Sequence, residues 1–316
     1  MVRTAGRAIT LALLLIPAAS TVPAMPKKPS ILYIIADDMR PAWNVYCPKC
    51  GLHTPNFDRL AARSLLFQRA YCQEAFCSAS RNSFMSGRRT STTLAWGYPV
   101  SFRDSPLGGG GQTWQSMPEF FKGHNWLTAA SGKTFHSGSP KNYDSPRSWT
   151  EPSIGGSKPF AYYPAHYPAN YGGSVYQECC RQPFDPEFGC VKLADAGGGF
   201  CRVANESDIF DYQMTLHTIS MLSLAKASGK PWMIFAGYKK PHAPWGVPQR
   251  MFDLYEPLHE KIKLPLHQYR PRRAPNVSAI TDFFLRLDNA TAFDQIYPWG
   301  PDQPAPDEVV LKNRQA

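Results

Sequence analysis

Beyond its first two dozen residues the chain lacks any run long and apolar enough to span a bilayer, which argues against an integral membrane segment. It lacks an internal repeat, so solenoids and propellers are excluded. Acidic residues are few, 24 against 34 Lys and Arg, for a formal net charge of +10. That balance favours an anionic partner. The cations are scattered, though, with only short groups such as Arg270, Arg272 and Arg273. No nucleic-acid-binding module accompanies them, so nucleic acid is not the expected partner. A generally basic surface is the simplest reading, and a polyanionic substrate stays compatible with it. Cys47-Pro-Lys-Cys50 lacks a second Cys-x-x-Cys or a suitably spaced His pair. A zinc site is therefore incomplete, and a loop disulfide is expected there.

What is present is a globular composition: 316 residues, 43% hydrophobic, 18% charged and 13% aromatic. That suffices for one sizeable core, or a large core with a small annex. With 30 Pro and 23 Gly, long loops are expected. Arg3 and Arg7 precede an apolar run over 8–19, followed by small residues and Pro through Ala24. This is the layout of a secretory signal peptide over 1–24, with 25–316 as the mature chain; a buried N-terminal helix is the alternative. Three sequons, at Asn205, Asn276 and Asn289, agree with export to a lysosomal or extracellular destination. There are 8 cysteines, and in an oxidising compartment most should pair. Cys179, Cys180, Cys190 and Cys201 are close enough to staple one loop region. If Cys77 is reserved for chemistry, at least one other cysteine stays unpaired within the chain.

The continuous β-prone run Ile31-Leu-Tyr-Ile-Ile-Ala36 predicts a central strand buried on both faces. Helical spacing follows over 55–67, a short helix over 116–122 and a short strand over 126–130. A long helical pattern covers 206–227, and a buried strand covers 231–238. This alternation predicts an α/β fold, a sandwich around a largely parallel sheet flanked by helices. The stretches 137–201 and 255–306 are Pro-rich and irregular, and loops that long are usually functional or disulfide-capped.

Four segments carry reactive side chains. Asp37-Asp38 follows the first strand, where ligands of open α/β sheets gather, and paired carboxylates suit a hard divalent cation. Cys77-Ser-Ala-Ser-Arg81 starts a predicted helix, whose N-terminus favours anions and reactive thiolates. Lys133 and His136, in Gly132-Lys-Thr-Phe-His136, supply a cation and a proton-transfer group after the short strand. His242, in Lys240-Pro-His-Ala-Pro244, is held rigidly between prolines. Taken singly, each has an ordinary explanation: a loop carboxylate pair, a disulfide cysteine, a solvated lysine, a structural histidine.

In this order, however, strand-Asp-Asp, C-x-A-x-R with Ser86-Gly-Arg88, G-K-x-x-H and K-P-H together resemble the sulfatase family. The likeness runs from about Ile31 onward and is nearest to the iduronate-2-sulfatase branch. It implies an alkaline-phosphatase-like sandwich. It also implies that Cys77 is oxidised to formylglycine by the formylglycine-generating enzyme, and that the hydrated aldehyde attacks sulfur. Asp37, Asp38 and residue 77 would hold one divalent cation, usually calcium. Arg81 and Lys133 would offset developing charge, His136 would deprotonate the hydroxyl that expels sulfate, and His242 would contact sulfate or protonate the leaving group. The implied substrate is a sulfated saccharide of the heparan or dermatan sulfate type. A secreted pseudosulfatase that binds sulfated glycans without turnover, and a phosphoesterase relative, are the alternatives.

Two departures accompany the likeness. Ala79 stands where most sulfatases have Pro, a looser motif for the modifying enzyme. No strand followed by Asp-His, which the family uses to complete its metal site, is found after His242: His259 and His267 follow no buried strand, and Asp288-Asn289 belongs to a sequon. The sequence therefore reads as a catalytic domain with its C-terminal part missing, and weak or absent activity is expected of the 316 residues alone.

Overall fold

A computed structural model describes residues 28–97, 100–136, 138–150, 161–162, 200–203, 206–242 and 245–255. The signal segment 1–24, the sequon asparagines Asn205, Asn276 and Asn289, Cys179, Cys180, Cys190, His259, His267 and Asp288 lie outside them, as do most of the loops 137–201 and 255–306.

In chain order come β1 (Ile31–Asp37), α1 (Pro55–Ala61), α2 (Cys77–Ser86), α3 (Thr90–Thr93), α4 (Met117–Gly123) and β2 (Leu127–Gly132). Then follow β3 (Ala161–Tyr162), β4 (Phe200–Val203), α5 (Phe210–Ala227), β5 (Trp232–Pro241), β6 (Trp245–Pro248) and α6 (Gln249–Phe252). Four strands form one sheet in the order β1-β5-β2-β3, every pairing parallel; β4 and β6 form a separate parallel pair. The structure thus has the expected α/β architecture. Parallel strands need covered faces, and β2 is buried along its whole length.

α5 lays Phe210, Met214, Thr218, Met221 and Ala225 inward, a stripe at the three-to-four-residue helical period. Phe210 and Met214 pack with Ala236 of β5. The neighbouring Phe235 instead meets Tyr33 tilted and Trp149 edge-on, and Tyr33 stacks on Phe84 of α2. Successive β5 side chains therefore serve different layers. Burying Phe102, Phe135 and Phe235 contributes roughly 1.5–3 kcal/mol each. α4 starts at a capping box, Ser116 with Glu119. Glu119 and Asp144 both accept from the Arg103 guanidinium, at 2.7 Å and 2.6 Å, which ties α4 to the turns on either side.

Two expectations need correction. β1 is an edge among the described strands, not central, and Leu32 and Ile34 are 42% and 56% exposed. The strand between β1 and β2 is β5, because its apolar core residues meet side chains from both layers. The helix expected over 55–67 ends at Ala61. Ser64 Oγ donates to the Leu60 carbonyl at 2.7 Å, and Leu65 and Phe67 are 81% and 66% exposed among the described residues. The Cys47–Cys50 disulfide is present, and Cys72 lies outside any disulfide, as the cysteine count required.

Candidate active site

In a parallel sheet all carboxyl ends emerge on one side, so Asp37 after β1, Lys133 after β2 and His242 after β5 converge there. Gly132 and Gly237 are register partners, and the Lys133 N–H donates to the Gly237 carbonyl at 2.8 Å. A Cβ on Gly237 would stand 2.2 Å from the Lys133 carbonyl oxygen. Only glycine allows the two backbones this close, and Gly132 at φ +71° also turns the chain into Lys133.

β5 carries a bulge at the same place. Ala36 pairs with Tyr238 but Asp37 pairs with Pro241, so Lys239 and Lys240 are extra residues outside the ladder. Their N–H groups donate instead to the two carboxylate oxygens of Asp211 in the first turn of α5, at 2.8 Å and 2.9 Å. Burial raises the Asp211 carboxyl above its ordinary pKa despite those two bonds, with Asp37 adding in the same direction. The Lys239 carbonyl in turn accepts from the His242 N–H at 3.0 Å, which fixes the chain beyond the bulge.

Of the adjacent pair, Asp37 is buried and Asp38 is exposed in a left-handed conformation, φ +58°, that aspartate tolerates better than most residues. Arg81, one turn into α2, donates to Asp37 Oδ1 and to the Thr134 carbonyl, each at 2.9 Å, and also to the Lys133 carbonyl. Lys133 Nζ takes the other Asp37 oxygen. Burial alone would raise the Asp37 carboxyl; Arg81 and then Lys133 outweigh it and hold the group below the ordinary range. Cys77 opens α2, half-buried and in no disulfide, at the positive end of a ten-residue helix. Its position on the helix that supplies Arg81 puts it on this side of the sheet.

His242 Nε2 lies 3.7 Å from Asp38 Oδ2. One ligand atom each from Asp37, Asp38 and His242 falls within 4.8 Å of the others. Two carboxylates and an imidazole make a donor set that fits a divalent cation. Cys77 is not in that group, whereas the sequence had placed residue 77 among the ligands and His242 outside them. His136 is buried in the turn beyond Lys133, and its carbonyl accepts from the Ser139 N–H at 3.0 Å. The structure therefore gathers Asp37, Asp38, Arg81, Lys133 and His242, with Cys77 and His136 on the flanking elements.

Sequence reasoning missed Lys239 and Asp211. Lys239 is 1% exposed, and burial, then Lys240 and Lys133, push its ammonium down to about 7. The only signal available was its place directly before Lys-Pro-His. Asp211 had none, being one acidic residue in a helical pattern.

Residues 29–279 match the family model described as Sulfatase. Iduronate 2-sulfatase of Homo sapiens is 32% identical over 281 residues, 86% of this chain and 46% of that protein. Iduronate 2-sulfatase of Mus musculus is 30% identical over 290 residues, 91% and 48% respectively. The chain spans about half the length of these relatives. Among solved structures, the phosphonate monoester hydrolase of Silicibacter pomeroyi superposes with a TM-score of 0.54 at 20% identity, over 91% of this chain and 55% of that one, which speaks for the fold.

Proposed function

The chain belongs to the sulfatase family, and from that membership we propose that it is a sulfuric ester hydrolase acting on a sulfated sugar through a formylglycine made from Cys77. The observation that carries this reading is the ion pairing of Arg81, one turn beyond Cys77 on α2, with the Asp37-Lys133 pair at the sheet's carboxyl end. The likeness to iduronate 2-sulfatases supports a 2-O-sulfated uronic acid of the heparan or dermatan sulfate type as substrate, and the net charge of +10 agrees with a polyanionic one.

In this reading Asp37, Asp38 and His242 would hold one divalent cation, with calcium the proposed ion. When bound, the cation polarises the sulfate oxygens and the nucleophile. The hydrated aldehyde at residue 77 offers one hydroxyl to attack sulfur and a second whose deprotonation releases sulfate. Arg81 and Lys133 offset charge at the nucleophile, and both are held in place by Asp37 before any substrate arrives. His136 accepts the proton of the second hydroxyl, while His242, as a ligand of the cation, is not the general acid for the departing sugar oxygen. The formylglycine-generating enzyme is then an obligatory partner. The Cys47–Cys50 disulfide and the apolar run over 8–19 support passage through the oxidising secretory pathway to a lysosomal or extracellular destination. Among the described residues no helix is long and apolar enough to cross a membrane.

Mass spectrometry of the peptide containing residue 77, from protein made alongside the formylglycine-generating enzyme, tests the reading together with sulfate release from a 2-O-sulfated uronate disaccharide. An aldehyde at residue 77 with sulfate release is expected. An unmodified thiol with no release would move the protein to the non-catalytic, glycan-binding alternative. Hydrolysis of an aryl phosphate, assayed in parallel, with no release of sulfate from the disaccharide would make it a phosphoesterase.

A further inference from the structure

β1 and β5 keep one register from Ile31 with Met233 to Ala36 with Tyr238. The next step on β1, to Asp37, corresponds to three steps on β5, to Pro241, so two residues of β5 are looped out. In an unbroken ladder Asp38 would stand level with Lys240, and His242 would lie two residues farther on, about 6–7 Å along the strand. A calcium ion holds its ligand atoms at about 2.3–2.6 Å, so two atoms that share it lie within about 5 Å of each other. The bulge takes up the excess length. His242 follows Pro241 as Asp38 follows Asp37, and His242 Nε2 comes 3.7 Å from Asp38 Oδ2. One side chain closes the bulge. Asp211 accepts the Lys239 N–H on Oδ1 at 2.8 Å and the Lys240 N–H on Oδ2 at 2.9 Å, the amides of both looped-out residues. The Lys239 carbonyl then accepts the His242 N–H at 3.0 Å, the next link toward the imidazole. The helix holds Asp211 in its turn. Phe210 and Met214 of α5 pack with Ala236 of β5, and Thr215 Oγ1 donates to Tyr238 Oη at 3.1 Å.

We propose that Asp211 is a positioning residue for the cation site: by closing the β5 bulge it sets His242 level with Asp38, where the two can share one divalent cation. The proposal rests on the sulfatase reading and its cation. It adds a residue from α5, a helix that supplies none of the candidate ligands. Groups that orient a metal ligand without touching the metal commonly change its affinity tenfold to a hundredfold when removed.

The test compares the intact chain with Asp211→Ala and Asp211→Asn, and with Met221→Ala, which opens the core two to three turns along the same helix and leaves the bulge alone. Calorimetric titration with calcium, well below each melting temperature, and hydrogen exchange of the metal-free chain are the readouts, so neither depends on turnover. Calcium affinity should fall about tenfold to a hundredfold in Asp211→Ala, and less in Asp211→Asn, which keeps one acceptor. The His242 amide should lose protection in the same order. Met221→Ala should melt lower than wild type yet keep both its calcium affinity and its His242 protection. Should Asp211→Ala not fold, Asp211→Asn carries the same comparison. Wild-type calcium affinity or unchanged His242 protection in the folded Asp211 variants overturns the proposal. So does an equal fall in affinity for Met221→Ala, which would trace the effect to lost stability alone. A wild-type chain that binds no calcium and keeps a thiol at residue 77 removes the sulfatase reading itself, and the proposal with it, whereas one that binds calcium regardless of Asp211 removes the proposal alone.

Discussion

Asp211→Ala is the substitution with the clearest structural consequence outside the charged cluster itself. Asp211 accepts from the Lys239 and Lys240 N–H groups at 2.8 Å and 2.9 Å, and the bulge leaves those donors no ladder partner. Each buried N–H deprived of its acceptor costs about 1–3 kcal/mol, so the pair costs roughly 2–6 kcal/mol. The substitution also removes a carboxylate whose burial is unfavourable, as its raised pKa records, which offsets part of that loss. A net loss of about 2–4 kcal/mol remains, a large share of the roughly 5–15 kcal/mol that holds a typical domain together. For a chain of this size that corresponds to a fall in melting temperature of about 3–6 °C. Asp211→Asn keeps one acceptor and turns an NH2 toward the other N–H, so its loss should be about half as large. Circular dichroism melts measure the stability change. Hydrogen exchange localises it, since the amides of Lys239 and Lys240 should lose protection before those of Ile234 or Phe235. A melt for Asp211→Ala within about 1 °C of wild type, or unchanged protection at the two bulge amides, would refute the argument that Asp211 holds the bulge.

Gly237→Ala forces a methyl to 2.2 Å from the Lys133 oxygen and 2.7 Å from Thr134 N, so β2 and β5 must part. A loss of at least about 1–3 kcal/mol is expected by thermal melting, and weaker sulfate binding because Lys133 moves with its strand end. Calcium at about 100 times its dissociation constant should stabilise wild type by about 2.7 kcal/mol. Asp38→Asn should lose most of that shift while melting normally without calcium, because Asp38 is exposed; an equal calcium shift in both would exclude Asp38 as a ligand. Burial alone would raise the Glu119 carboxyl, but its bonds to Arg103 and Arg147 hold it below the ordinary glutamate value. Its stabilisation is therefore present above that ordinary value and is lost as pH falls through the folded one. Melting temperatures taken from about pH 7 down to about pH 3 should fall less steeply for Glu119→Gln, and equal slopes would count against this ion-pair network.

Local chemistry determined much of this protein from its sequence. The apolar runs of β1 and β5, the short helix beginning after Ser116 and the Cys47–Cys50 disulfide depend on near neighbours, and each was legible. So was the convergence of Asp37, Lys133 and His242, because residues just past the ends of parallel strands meet whatever separates them along the chain. Folding alone decided the rest. Asp37 and Asp38 are indistinguishable in sequence, yet one is buried against Arg81 and Lys133 and the other faces outward beside His242. β1 lies at the edge of the described sheet because β5 takes the place between it and β2. Lys239 and Lys240 leave the ladder just where Asp211, in the first turn of α5, can receive their freed N–H groups. Strand register and bulges are settled by contacts among residues tens to hundreds of positions apart, and no window along the chain contains both partners.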